Sequence, residues 1–204
     1  MESDRKKHWE TVYETKQPNE VSWTQKMPKT SLDFIRETNL SKTAKIIDIG
    51  GGDSKLVDFL LEEGYENITV LDISEKALER AKKRLGKNAE KVSWIVSDIT
   101  EFKPETTYDI WHDRATFHFL TTAEQVEKYV KIIEKWVSGF LIIGTFSEQG
   151  PKKCSGLDIK QYSENELENQ FSNRFKKLKC ITEDHVTPFE TTQNFTFCIF
   201  EKNK

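Results

Sequence analysis

The chain of 204 residues predicts a doubly wound α/β fold: a mostly parallel, seven-stranded sheet with helices on both faces and a terminal antiparallel hairpin. Three observations predict it. From Lys45 onward, short apolar runs alternate with helical patterns, as in a parallel sheet. Four successive runs end on a carboxylate, at Asp48, Asp72, Asp98 and Asp113. The last two runs, 175–181 and 195–200, are joined directly around Thr187, Pro188 and Phe189 with no helix between them, so they must be antiparallel neighbours.

The elements follow in order. Trp9, Val12 and Tyr13 share a helical face, and Pro18-Asn19 ends that helix. A second helix is expected after Ser31, using Leu32, Phe34 and Ile35. The first strand, 45–49, runs into Gly50-Gly51-Gly52. Leu56, Val57, Leu60 and Leu61 then keep helical spacing up to Gly64, a usual left-handed cap. The second strand is 68–72. Ser74 caps a helix with Ala77, Leu78, Ala81 and Leu85 inward, ending at Gly86. Strands over 92–96 and 108–112 follow. A capping box over Thr121 to Glu124 opens a helix carrying Val126, Tyr129, Val130, Ile133 and Val137. A buried strand is expected at 140–143. The polar stretch 147–157 interrupts the alternation, and a connection that long is functional or mobile. Ser163 and Glu166 form a second capping box before Leu167 and Phe171.

This length suits one domain, read as an N-terminal helical leader or cap over 1–40 and a main domain over 41–204. A net charge of −3, from 31 basic and 34 acidic residues, gives no general affinity for nucleic-acid phosphates. The basic runs Lys82-Lys83-Arg84 and Arg174 to Lys177 read as solvated surface. No apolar run approaches the ~20 residues of a membrane span. Three widely spaced cysteines, Cys154, Cys180 and Cys198, without a signal peptide or zinc spacing, lead us to expect a reducing cytoplasm and no metal. Oligomeric state is not legible.

The edge formed by the strand ends suits a nucleoside bearing positive charge. A dinucleotide fingerprint wants a third Gly where Lys55 stands, and Asp53 occupies the place where pyrophosphate would sit. A carboxylate there repels phosphate, by about 1 kcal/mol per pair at 4 Å in water and more when partly buried. It attracts a sulfonium and an ammonium, the charges of S-adenosylmethionine. Asp72 lies about 20 residues beyond the turn, where an acid serves ribose hydroxyls.

On these residues the stretch from Lys45 to Phe146 resembles the class I, seven-stranded S-adenosylmethionine-dependent methyltransferases. The resemblance implies that Asp48, Gly50, Gly51, Gly52, Asp53 and Ser54 hold the methionine part, Asp72 with Ile73 the ribose, and Asp98 with Ile99 the adenine. It implies that His112 lines the pocket and that Trp23, in the leader, covers the cofactor. Ser54 stands where many members keep a third glycine. The Gly-x-Gly-x-Ser form, Gly64 to Thr69, Asp72-Ile73-Ser74 and Asp113 to Phe117 are similar to the subgroup containing protein lysine methyltransferases, although Arg114 and Ala115 depart from its Asp-Lys-Gly-Thr segment. The implied activity is methyl transfer to an N, S or O acceptor, a small molecule or a protein lysine, leaving S-adenosylhomocysteine. The alternatives are a non-enzymatic cofactor-binding module or sensor and, more weakly, a nicotinamide oxidoreductase.

In-line displacement needs alignment and an unprotonated acceptor, and alignment alone accounts for ~7–11 kcal/mol. Asp113, at the end of the fourth strand, is the first candidate base. His118, between Phe117 and Phe119, is the second, kept neutral by its apolar setting. His185 and Cys154 are placed near the same cavity. Trp111, Phe117, Phe119, Tyr162 and Phe189 are candidates for an aromatic surround, of which two or three are expected to touch substrate.

Overall fold

A computed structural model describes residues 4–203. Its main sheet has seven strands: β1 (Lys45–Ile49), β2 (Asn67–Asp72), β3 (Val92–Val96), β4 (Tyr108–Arg114), β5 (Val137–Phe146), β8 (Phe175–Val186) and β9 (Thr192–Lys202). A separate small hairpin, β6 (Lys153–Cys154) with β7 (Leu157–Asp158), occupies the stretch expected to be a long loop. The strand order is β3-β2-β1-β4-β5-β9-β8, and all pairs are parallel except β5 with β9 and β9 with β8. This is the doubly wound arrangement with its antiparallel end. The order reverses between β1 and β4, the switch point where open α/β sheets bind ligands.

The helices are α1 (Asp4–Thr15), α2 (Lys29–Glu37), α3 (Leu56–Glu62), α4 (Glu75–Leu85), α5 (Ala123–Trp136) and α6 (Glu164–Phe171). Two apolar layers sandwich the sheet. One holds Trp111, Phe117, Tyr129 and Ile133; the other holds Leu32, Ile35, Leu60, Leu78 and Phe197. Period-two alternation decides which strand residue reaches which layer. Leu32, Phe34 and Ile35 are almost fully buried, so the second half of the 1–40 leader is part of the main core.

Local details differ from expectation by small, explicable amounts. The box that opens α5 is Thr122 with Gln125, one position later than expected: Thr122 Oγ1 accepts from the Gln125 amide at 3.3 Å, and Gln125 Oε1 accepts from the Thr122 amide at 3.3 Å. Helix α2 starts at Lys29, and α5 passes into β5 without a loop, so Val137 belongs to the strand. Cys180 and Cys198, 18 residues apart, face each other across β8 and β9 and form a disulfide, while Cys154 is a buried free thiol. Nothing in the spacing of the three cysteines announces this pair, because sequence distance says nothing of cross-strand register. Among the described residues, no helix is long and apolar enough to cross a membrane, and no group of three metal-ligating side chains occurs.

Candidate functional site

A cavity of about 220 Å³ lies over the ends of β1 to β4, lined among others by Asp48, Asp72, Asp98, Ile99, Trp23 and Arg114. Gly50, Gly51, Asp53, Ser54, Ile73 and His112 also reach it. Gly52 stands just behind the lining. Its φ of +48° is in the left-handed region, and a Cβ there would lie 2.6 Å from the Tyr13 hydroxyl. A Cβ on Gly51 would lie 2.6 Å from Asp48 Oδ2, so the turn passes close to the carboxylates because it lacks side chains.

The acids have separate local roles. Asp72 Oδ1 accepts from the Ser74 amide at 2.8 Å, which ties the end of β2 to the start of α4. Burial pushes its carboxyl up to about 7, the Ser74 and Gly52 amides opposing the rise and the Asp53 and Asp48 charges adding to it. Asp98 Oδ1 accepts from the Thr100 amide and hydroxyl, each at 2.8 Å, and Oδ2 meets Arg5 Nη1 at 3.4 Å. Burial raises Asp53, while Arg80, 3.7 Å away, and Arg84 hold it down. Asp53 Oδ2 is buried without a hydrogen-bond partner. The edge is therefore acidic but interleaved with arginines, and Arg84, expected to be solvated, lies in the cavity wall and donates to the Asp53 and Ser54 carbonyls at 2.8 and 2.7 Å.

Asp48 and His112 form a fixed pair. They are register partners on β1 and β4, and His112 Nδ1 lies 2.7 Å from Asp48 Oδ1. The second ring nitrogen, Nε2, lies 2.8 Å from the Ser31 hydroxyl. Both nitrogens are engaged, so His112 is a strut of the wall.

The two candidate bases lie elsewhere. Asp113 is register partner to Ile49 and points to the opposite face from His112. It is fully buried and accepts from the Thr116 and Phe117 amides at 2.9 and 3.1 Å and from the Tyr129 hydroxyl at 2.8 Å; Trp111 Nε1 in turn donates to Tyr129. Burial pushes its carboxyl up to about 6, against those bonds. Its place at the strand end suggested the site, but alternation sends it into the core. His118 is also fully buried and outside the cavity wall; its Nδ1 accepts from the Phe146 amide at 3.4 Å, and burial with the nearby Arg114 charge lowers it to about 3. His118 is thus enclosed behind the wall rather than presented to the cavity.

Of the expected aromatic surround only Phe119 reaches the cavity; Trp111, Phe117 and Tyr162 are core, and Phe189 is exposed at the hairpin tip. The rings that do cover the cavity come from α1 and the following segment. Trp9 packs on Phe119, Trp23 and Tyr13 with centroids 5.2, 5.7 and 6.4 Å apart. Cys154 lines the cavity, whereas His185 is buried outside its wall, with Nε2 2.7 Å from the Ser22 carbonyl.

Helix α1 supplies contacts that single-residue motifs did not reveal. The Glu10 carboxylate accepts from the Ser74 hydroxyl and from the Glu75 and Lys76 amides at 3.0, 2.8 and 3.2 Å, capping α4 from outside. Arg80 donates to the Tyr13 and Lys16 carbonyls at the other end of α1. Arg5 donates to the Phe119 carbonyl at 2.8 Å. The polar residues flanking Trp9 and Tyr13 were the available signal, since an acid at this spacing suits a free helix start.

Comparison with known proteins follows the same lines. Residues 46–138 match a methyltransferase-domain family model. An eEF1A lysine and N-terminal methyltransferase of Mus musculus is 32% identical over 82 residues, which is 40% of this chain and 12% of that protein. A malonyl-[acyl-carrier protein] O-methyltransferase of Ilyobacter polytropus is 27% identical over 116 residues, 56% of this chain and 43% of that protein. The chain thus spans less than half the length of either relative. The N-methyltransferase NodS of Bradyrhizobium japonicum, solved with S-adenosyl-L-homocysteine, superposes with a TM-score of 0.69 at 16% identity, covering 86% of this chain and 87% of that one. Residues 46–138 are therefore a methyltransferase domain, set in a chain with the fold of the class I, S-adenosylmethionine-dependent methyltransferases.

Proposed function

We propose that the chain is an S-adenosylmethionine-dependent methyltransferase acting on an N, S or O atom of a small acceptor. The observation that carries this reading is the convergence of Asp72, at the end of β2, and Asp98, just beyond the neighbouring β3, with the Gly50 to Ser54 turn around one cavity. The residues fit the cofactor. The Asp72 carboxylate at the cavity wall suits ribose hydroxyls, the unpartnered Asp53 oxygen and Asp48 suit an ammonium, and the turn allows close approach. When bound, the cofactor supplies an electrophilic methyl on a sulfonium. The protein's part is to orient the partners, with Trp9, Tyr13 and Trp23 excluding water, and residues 1–40 serve as the cap in this reading.

The acceptor half of the cavity supports a small molecule over a protein lysine. Arg114 lines it, and a lysine ammonium entering there meets a like charge in a poorly solvated place. Asp113 does not reach the cavity to take the proton a lysine must lose. A cytoplasmic setting belongs to this reading as well, and it stands against the Cys180–Cys198 disulfide of the structure, since such bonds are rare in that compartment; the state of the pair in protein alkylated at lysis tests it, an oxidised pair counting against the cytoplasm.

Calorimetric titration with S-adenosylhomocysteine, with the reduced nicotinamide dinucleotide as control, is the first test. Micromolar binding of the former and none of the latter is expected; a folded protein that binds neither overturns the proposal. Binding without methyl transfer to any acceptor across a broad metabolite screen would favour the sensor instead.

A further inference from the structure

The cavity has two chemically different halves. Asp72 and Asp98 stand at the ends of β2 and β3, on one side of β1. On the other side, after β4, stands Arg114, whose surroundings contain no matching anion. Among the described residues no carboxylate lies within ion-pair distance of it; Glu183 and Asp48 act only at longer range. Its Nη1 donates to the Trp23 carbonyl at 3.1 Å, and its guanidinium lies over the Phe195 ring, 4.9 Å from the centroid. The plane is thus oriented on one face and along one edge. The other edge is unused: Nε and Nη2 are buried and have no hydrogen-bond partner. Those two atoms form the fork that binds a carboxylate with two parallel hydrogen bonds.

A buried cation without a partner is costly, and proteins keep one where a ligand completes it. The wall near it offers apolar and aromatic surface from Trp23, Phe119 and Cys154, and its polar members Ser31, Thr24 and Thr116 are uncharged. The thiol is not a competing anion, since burial pushes it up to about 12. The cofactor reading already gives the acids of β1 to β3 their partners, which leaves the Arg114 end for the second substrate.

We propose that the acceptor carries a carboxylate on an apolar body, and that this carboxylate seats on Nε and Nη2 of Arg114. The inference rests on the methyltransferase reading. Because the fork is shut off from bulk water beneath the Trp23 segment, entry of the acceptor displaces that segment and releases the Trp23 carbonyl from Nη1.

The same chemistry has a second source, the methionine carboxylate of the cofactor, and the experiment separates the two. Wild type, Arg114→Lys and Arg114→Gln are each titrated with S-adenosylhomocysteine and with methylthioadenosine, which lacks the amino-acid end. The proteins saturated with S-adenosylhomocysteine are then titrated with a panel of aliphatic and aromatic monocarboxylates and their amides. Arg114→Lys keeps the charge and guards against a folding failure of Arg114→Gln. We expect S-adenosylhomocysteine affinity within about threefold across all three proteins, carboxylates binding the saturated wild type and amides failing, and a loss of carboxylate affinity of about tenfold or more in both variants. An S-adenosylhomocysteine loss that methylthioadenosine does not share overturns the inference by assigning Arg114 to the cofactor. Carboxylates and amides binding equally, or no panel member binding the saturated wild type, also overturns it. Absence of S-adenosylhomocysteine binding by wild type instead removes the underlying reading.

Discussion

The β1-β2-β3 side of the cavity and the β4-β5-β9 side are built on opposite principles. On the first, carboxylates are held by backbone amides, a helix start and the α1 helix: Asp72 by Ser74, Asp98 by Thr100 and Arg5. On the second, the cavity-lining Arg114 leaves Nε and Nη2 unpartnered, and away from the wall His118 Nε2, Thr145 Oγ1, Tyr162 OH and Gln193 Oε1 are also buried without partners. Among the described residues the acid side has one such oxygen, Asp53 Oδ2, and Arg80 lies near it. A satisfied network is fixed before any ligand arrives, whereas an unsatisfied one is completed by what binds or by water. The contrast separates a preset acid side, which the proposed function gives to the cofactor, from a side whose open Arg114 fork the proposed acceptor completes.

The largest effect that sharpens the contrast is on Asp113, the strand-end acid that turns away from the cavity. Asp113→Ala strands the Thr116 and Phe117 amides and the Tyr129 hydroxyl in the core. Unmade buried hydrogen bonds of this kind cost about 3 kcal/mol together, a fall in Tm of roughly 6–12 °C for a chain of this length. Calorimetric melting measures it, with S-adenosylhomocysteine affinity of the folded variant unchanged. An affinity loss larger than tenfold would return Asp113 to the site and break the division.

Next comes Asp72. On the proposed reading, Asp72→Asn removes charge-assisted bonds to ribose hydroxyls, a loss of roughly a hundredfold in S-adenosylhomocysteine affinity. The sign of the pH effect follows from its raised pKa. In the unfolded chain an Asp releases its proton near ~4, whereas folded, unliganded Asp72 keeps it up to about 7. Between those values the folded state binds more protons, so this group lowers stability as pH rises across the window. Asp113, raised to about 6, acts in the same direction over a narrower range. Asp72→Asn should therefore flatten the decline in Tm between pH 5 and 8 while weakening binding. Wild-type affinity should rise through pH 7, as the carboxylate form becomes available to accept from the hydroxyls.

How much of this was readable beforehand divides along the same line. The acid side was legible because its signals are local. A glycine turn directly after a strand, an acid about 20 residues on and a serine cap each constrain only their own segment. The seven strands and the terminal hairpin followed from alternation for the same reason. The other side depends on parity and on register between distant strands. Asp113 and His112 are adjacent in sequence, yet one lies in the core and the other in the wall, and only the pairing of Asp48 with His112 fixes which. The cross-strand cysteines and the stacking of Arg114 on Phe195 likewise join segments that no short-range pattern connects.

The smallest effect tests whether the acid side is preset or completed by α1. Glu10 caps α4 through Ser74, and Ser74 donates its amide to Asp72, so α1 is linked to the proposed ribose acid by two hydrogen-bonded steps. Glu10→Ala removes an acceptor from two backbone amides and a hydroxyl at an exposed helix start, where Ser74 Oγ still accepts from the Ala77 amide at 3.2 Å. A cap lost in part costs about 1 kcal/mol. If α1 closes over the cofactor, that cost falls on the liganded state: S-adenosylhomocysteine affinity drops about fivefold while the melting temperature of the free protein moves little. A drop in free-protein Tm with affinity preserved would mean that α1 is ordinary packing, its Glu10 a cap for α4 alone, and that the acid side is complete without it.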